Sequence, residues 1–463
     1  MKTNFRVLTF LIILFFISSI LYGGLLRYHY YGGENFYKLR TIAVFFAEIP
    51  FNLKYIIENR TILGDKPIPI SNKPQIKKKF FNKIKDNSRE ELILISRHDG
   101  DIGRSVVEIR DLKNFSLLHT YKPNIEDIYK KIDLKEDEFQ YLKRDLGYNK
   151  FYMGHPAITS KGELIFQSVS PLVKIDFNSK IIWVKDDDLY HHSTNFDEEE
   201  NIYVPSYKNP YSKKVAEIID VPDERGVWDF TKRHMYFYDD AINILDKNGK
   251  TLFSKSVSEI FIENGLKNRI FAQQSYKLDP IHLNDIEPVL FDGPHFKKGD
   301  LFLSLRSLSM IVLYRPSTNK LIKVIEGDFY QQHDVDILDE KTISIYNNNA
   351  LYNSRGEMKV INNVNEVTIF DLEKNSFSKK FENTFAKLRV NSNTNGLIDF
   401  LDDSSAIVED RNNGRIFYLN KDGEVIWEFN NLNSKKILYN LWWSRIIDIN
   451  KSNLLKKTIE EKK

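Results

Sequence analysis

A chain of 463 residues exceeds one average domain, and its 42% hydrophobic and 13% aromatic content is ample for a large core rich in strand-forming Phe and Tyr. The charge is nearly balanced, 67 Lys and Arg against 64 Asp and Glu for a net +3, which excludes the concentrated basic surface that a nucleic-acid partner needs. Cysteine is absent, so the fold uses neither disulfides nor thiolate metal sites.

Lys2 and Arg6 precede an uncharged run from Val7 to Leu26, roughly the 20 residues that cross a bilayer as a helix. The run is longer than the apolar part of a cleavable signal peptide and no A-x-A-like site follows it, so a retained anchor is expected. Residues 1–26 are then a cytoplasmic stub and transmembrane helix, which places the body of the protein on the periplasmic or extracellular side. Residues 27–90 read as a juxtamembrane connecting region. Within it, 37–58 is compatible with a helix near the membrane, interrupted or kinked at Pro50. Pro67, Pro69 and Pro74 break regular structure, and Lys77–Lys79 reads as a solvated linker or an interfacial basic cluster.

From Glu91 onward one unit recurs: an alternating strand, a polar turn, and a second strand that often carries Trp or Phe. Copies lie at 107–118, 172–183, 244–253, 312–322, 367–377 and 416–427, and the Asn-Gly and Asp-Gly turns among them are strong hairpin signals. Each hairpin follows a further short strand, at 92–96, 164–167, 202–205, 301–305, 342–346 and 406–409. A strand plus a hairpin, with room for a fourth strand, is the content of a propeller blade. A β-sandwich would not explain the recurrence. The expected fold is therefore all-β: a six-bladed β-propeller over 91–445, preceded by a transmembrane helix and a short juxtamembrane region. Residues 125–146 read as a helical insertion over one face, and 446–463 as a charged tail.

Several of the ten histidines fall at one place in the unit. His155 lies just upstream of the strand at 164, His192 of that at 202, and His333 of that at 342. His282 precedes the strand at 301 across an insertion, and Gly396–Asp402 matches the frame without an imidazole. One repeat position from every blade converges on the axis of a propeller, so residues distant in sequence form one concave polar site. Imidazole can serve there as acid, base, nucleophile or metal ligand. Arg306, expected where an inner strand leaves the channel wall, adds a permanent charge whose planar fork suits an oxyanion and opposes a metal dication.

At these residues the sequence resembles the arylsulfotransferase family, aryl sulfate sulfotransferases independent of 3′-phosphoadenylyl sulfate that fold as six-bladed propellers. The resemblance is carried by His191-His192, by His282 and Asn284, by Ser304 and Arg306, by Gln332-His333-Asp334 and by the hairpin 414–427. It implies a sulfuryl transfer in which His333 is the nucleophile and His192, His282 and Arg306 hold the sulfuryl group. His191, Asn284, Gln332 and His155 are expected to line the substrate site. A small aryl sulfate or related anionic ester is the implied partner, with no cofactor and no metal. Two other readings stand beside it: a non-catalytic anchored propeller binding an anionic glycan, lipid headgroup or protein, and a metal-dependent hydrolase joining the histidines to Asp334 or Asp285.

Overall fold

The computed structural model describes residues 2–30, 36–58, 78–84, 89–132, 151–167, 171–208, 211–219, 237–272, 279–352 and 358–462. The chain divides into two units, Met1–Lys66 and Pro67–Lys463. The first holds two helices, Lys2–Tyr30 and Tyr37–Glu58. In the former, Arg6–His29 is long and apolar enough to cross a membrane, a property that retained spans and signal sequences share. Tyr22 Oη donates to the Ala43 carbonyl at 3.0 Å, tying the two helices together. Pro50 sits inside the second helix rather than ending it. Pro67, Pro69, Pro74 and Lys77 lie outside the described residues.

The second unit is a six-bladed propeller of antiparallel sheets. From the axis outward, blade 1 is Arg445–Ile447, Leu92–Asp99, Arg104–Asp111 and Leu117–Tyr121. Blade 2 is Gly154–Ile158, Leu164–Gln167, Leu172–Ile175 and Ile181–Lys185. Blade 3 is Asn195–Phe196, Ile202–Tyr207, Asp240–Leu245 and Thr251–Ser256. Blade 4 is Leu283–Pro288, Leu301–Leu305, Met310–Arg315 and Lys320–Ile325. Blade 5 is His333–Ile337, Thr342–Asn347, Glu366–Asp371 and Ser376–Lys380. Blade 6 is Leu397–Phe400, Ala406–Asp410, Arg415–Leu419 and Val425–Asn430, with Phe80–Asn82 added outside.

Packing between blades explains the sequence pattern of the strands. Second strands are buried on both faces and read as largely apolar runs, as in Leu301–Leu305, where Ser304 alone is polar. Fourth strands lie at the rim and alternate, as in Lys320–Ile325. The predicted Asn-Gly and Asp-Gly turns place Gly249 and Gly423 at φ 83° and 82°, the left-handed region that Cβ-bearing residues avoid.

Three expectations are corrected. The short strands taken to lead each unit are second strands, and the innermost strand is a further one. Arg306 therefore follows the second strand of blade 4, not an inner strand. The end of the connecting region is part of the propeller, because Phe80–Asn82 pairs with Trp427–Phe429. Finally, the segment expected as a charged tail holds most of the closing inner strand of blade 1. It continues as a helix, Ile449–Glu461, capped by Asp448, whose Leu455 and Ile459 are buried in the core of blades 1 and 2. Of the expected insertion at 125–146, Ile125–Tyr129 is helical and 133–150 lies outside the described residues.

Inner strands are stitched to one another around the axis. Ser193 Oγ accepts the Ile286 N–H at 3.1 Å, Asp285 that of Val335 at 2.9 Å, Asp334 that of Ile398 at 2.9 Å and Asp399 that of Ile446 at 2.6 Å. Each tie satisfies a backbone donor that would otherwise be buried without a partner. Both carboxylates considered as metal ligands, Asp334 and Asp285, are thus occupied in holding blades together. Among the described residues no group of three or more His, Asp or Glu side chains is arranged to hold a metal ion.

Candidate active site

The histidines enter from the start of the inner strands, but not in one register. His333 is the first paired residue of its strand, and His155 follows the first paired residue of blade 2, Gly154. His282 comes one residue before the first pair of blade 4, and His192 three before that of blade 3. Irregular turns make up the difference. His155, His192 and His282 have φ of 46°, 57° and 55°, and Asp334 beside His333 has 51°. Left-handed backbone at non-glycine residues is costly and tends to persist where a site requires it.

His192 is the hub. Its ring centroid lies 4.9 Å from that of His191, 4.7 Å from His282, 5.9 Å from His155 and 6.4 Å from His333. Its Nδ1 is 2.7 Å from His191 Nδ1 and its Nε2 is 3.2 Å from His282 Nε2. His191 stacks on Tyr207 at 4.0 Å, and His282 Nδ1 meets the Asp279 carboxylate.

The tautomer of His333 follows from its neighbours. Asn348 Nδ2 donates to the carbonyls of Ser392 (2.9 Å) and Asn395 (2.6 Å), which fixes the orientation of its amide. Asn348 Oδ1 must then accept from His333 Nδ1–H, at 2.7 Å. That leaves the lone pair on Nε2, where the backbone N–H of Asn395 donates at 3.1 Å. Neither Asn348 nor Asn395 was picked out from the sequence.

Arg306 is 6% exposed. Its backbone N–H donates to the His282 carbonyl at 3.1 Å, which ties it to the ring. Its guanidinium makes only long contacts, 3.4 Å to Tyr352 Oη and 3.7 Å to Met358 Sδ, and its Nε has no partner among the described residues. No carboxylate forms an ion pair with it among those residues. The Asp279 carboxylate, held low in part by the Arg306 charge, acts on it only through space, and a buried cation with no ion pair among the described residues is stabilised by an arriving anion.

The remaining expected residues divide. His155 packs on Trp443 at 4.4 Å with its Nδ1 buried and unpaired among the described residues. Asn284 donates to the Gln332 carbonyl at 2.8 Å, and Gln332 donates to Met310 O at 3.0 Å and Ser304 Oγ at 3.3 Å. Their amide donors serve as ties between blades 4 and 5, and the atoms left over are carbonyl oxygens, which repel an oxyanion. Through these amide donors Asn284 and Gln332 brace the site.

Burial lowers the pKa of His155, His192 and His333 well below the ordinary 6.5, reinforced at His333 by the Arg306 charge and at His192 by the surrounding imidazoles. Burial also lowers His191 to about 4. These rings are neutral at pH 7, and His333 Nε2 carries a lone pair rather than a proton. The sign of the pH effect follows: protonation removes that lone pair, and a depressed pKa delays protonation to lower pH. A rate that depends on His333 should hold its plateau as pH falls through 6.5 and decline only below it, checked by a kcat/KM profile.

A cleft of about 670 Å³, lined in part by Met358, Asn391, Asn393 and Asn412, meets Arg306 through Met358. A cavity of about 750 Å³ opens at the other end of the inner strands, lined by Asn195, Glu287, Arg445 and others, with no imidazole in its wall. A family model described as arylsulfotransferase (ASST) matches residues 156–432, more than half of the chain. The chain belongs to the arylsulfotransferase family. The match spans His192, His282, Arg306 and His333 and begins one residue after His155. No curated protein matches this chain. Among solved structures, a Bacteroides caccae protein of unknown function is similar at 11% identity and TM-score 0.47, covering 78% of this chain and 99% of that one. Hydrazine synthase from Kuenenia stuttgartiensis follows at 12% and 0.40, covering 76% and 80%. TolB from Acinetobacter baumannii gives 10% and 0.41, covering 77% and 66%. Likenesses this distant carry no chemistry across.

Proposed function

We propose that this arylsulfotransferase moves a sulfuryl group from an aryl sulfate to a phenolic or other hydroxyl acceptor through a sulfo-histidine at His333. The observation that carries the proposal is the pairing of a neutral, tautomer-locked His333 with the buried guanidinium of Arg306, which forms no ion pair among the described residues. In the first step Nε2 attacks sulfur, the bond from sulfur to the aryl oxygen breaks, and the phenolate leaves. Asn395 N–H yields the Nε2 lone pair to sulfur and is left beside the sulfuryl oxygens. In the second step the acceptor oxygen attacks sulfur and the electron pair returns to Nε2. Two steps through one covalent intermediate let a single pocket serve donor and acceptor in turn. Arg306 stabilises the charge on the equatorial oxygens, as cations do in phosphoryl transfer, and the imidazoles of His192 and His282 complete the wall around the sulfuryl group. The N-terminal helix serves as a retained anchor, with the propeller on the periplasmic or extracellular side.

Purified protein given a chromogenic aryl sulfate and a phenol should release the chromophore and form the sulfated phenol. Wild-type protein that is inert across a panel of donors would sink the proposal. Asn348→Ala frees the His333 tautomer while keeping the imidazole, and kcat should fall on the order of 10²-fold.

A further inference from the structure

A second arginine occupies in blade 6 the place that Arg306 holds in blade 4. Arg306 opens the short turn Arg306–Leu308 directly after the second strand, and Arg411 opens Arg411–Asn413 in the same way. The two turns close alike, on left-handed Ser309 and Gly414 with φ of 49° and 59°. Blade 5, which carries His333, is tied to blade 4 on one side and to blade 6 on the other. His333 is thus flanked by two equivalent turns, each opening on an arginine. The cleft of about 670 Å³ reaches from Met358, which touches Arg306, to Asn412 and Asn413 of the second turn.

Arg411 is held in place but not neutralised. Its guanidinium lies 4.4 Å from the centre of the Trp442 ring, and Trp442 in turn stacks on Tyr152 at 4.4 Å. The side-chain oxygen of Asn395 accepts from Arg411 Nη1 and Nε, each at 3.2 Å, and Thr394 Oγ1 accepts from Nη1 at 3.4 Å. The backbone N–H of Asn395 is the one that donates to His333 Nε2, so a single residue separates this cation from the attacking nitrogen. Nη2 has no partner among the described residues and, unlike Arg306 Nε, is not enclosed. The two acids before it in the chain are committed elsewhere. Glu409 accepts the N–H groups of Trp443 at 3.0 Å and Ser444 at 2.7 Å, and Asp410 pairs with Arg415. Glu409 acts on Arg411 only through space. Burial depresses the pKa of Arg411, yet a guanidinium keeps its charge at pH 7.

We propose that Arg411 binds an anionic group on the aromatic ring of the substrate, which makes the preferred acceptor a phenol bearing a carboxylate. The inference rests on the sulfuryl-transfer reading, in which an aryl sulfate spends its one charge on Arg306. After burial, the Arg306 charge is the largest influence on His333, whereas Arg411 acts on His155, behind burial and Arg445. The two cations therefore serve different parts of the pocket. A carboxylate on the ring supplies the anion that the second one lacks. Stacking on Trp442 fixes the guanidinium plane beforehand, so little rotamer freedom is lost when Nη2 meets the carboxylate. With only Asn395 between Arg411 and His333, the acid belongs about a ring's width from the reacting hydroxyl.

The test uses the full chain and two acceptors with the same phenolic hydroxyl, 4-hydroxyphenylacetate and 4-hydroxyphenylacetamide. Calorimetric titration without a donor reads the site with no chemistry involved. The carboxylate should bind about 10–10²-fold more tightly than the amide, the worth of a hydrogen bond to a charged group. Arg411→Met keeps an apolar stem over Trp442 and should bring that ratio to about one. Arg411→Lys keeps the charge without the fork and should fall between, an independent check if methionine disturbs the fold. With nitrophenyl sulfate as donor, the ratio of kcat/KM for the two acceptors should follow the same order. Equal binding of both by the wild type, or a preference that survives in Arg411→Met, overturns the assignment and leaves sulfuryl transfer standing. A preference that Arg411→Met abolishes, in a protein inert on every donor, keeps the anion site and overturns the transfer.

Discussion

His333→Ala should turn over no aryl sulfate, a fall of at least about 10⁴-fold, because the variant lacks the atom to which sulfur must bond. The sharper measurement withholds the acceptor. Wild-type protein incubated with a sulfur-labelled donor should retain about one label per chain on an imidazole, and His333→Ala should retain none. The variant should still fold. The side chain of His333 contributes two hydrogen bonds, with Asn348 and Asn395, each worth about 1 kcal/mol net. The tie between blades 5 and 6 belongs to Asp334 and survives the change. A folded His333→Ala protein that transfers sulfuryl groups at the wild-type rate would end the case for a sulfo-histidine at this position.

Arg306→Ala carries the second large effect, and its signs are opposed. Removing a preorganised donor from the place where charge develops should lower kcat about 10²–10³-fold. Lysine at 306 restores the charge without the planar fork, so Arg306→Lys should fall between wild type and alanine. Stability should move the other way. The guanidinium is buried with no ion-pair partner among the described residues, so its removal relieves a desolvation cost and the melting temperature should hold or rise. The backbone bond from residue 306 to the His282 carbonyl persists in every variant. A large drop in melting temperature would mean that the arginine braces the fold.

How much of this could be read from the sequence varies with position in the blade. Third and fourth strands announce themselves through hairpin turns such as Asp246–Gly249, and second strands through apolar runs such as Leu301–Leu305. Inner strands do not. Asn195–Phe196 is two residues long, Leu283–Pro288 and His333–Ile337 are interrupted by bulges, and their polar residues face ties and the channel rather than a repeating surface. The histidines stood out because they are few, and four converge as expected, although by unequal offsets that only the turns reveal. Asn348, Asn395 and Asp279 were invisible for the opposite reason. Asn and Asp are abundant in the turns of this chain, and nothing local separates one that orients an imidazole from one that caps a loop. His191 was recognised as part of a His-His pair, yet its stacking on Tyr207 depends on blade 3 folding back on itself.

The inner strand of blade 1 has a consequence in time. Leu92–Leu94 waits for Arg445–Ile447, so during synthesis its inward edge stays unpaired until the last part of the chain has been made, on the order of tens of seconds at ordinary elongation rates. An open edge is a template for pairing with other chains, and the seam between blades 1 and 6 is therefore the point at which a nascent or truncated chain is most exposed to aggregation. The helix Ile449–Glu461 acts as a latch on blade 1 itself: Ser452 Oγ accepts the Leu92 N–H at 2.9 Å, next to the newly paired strand.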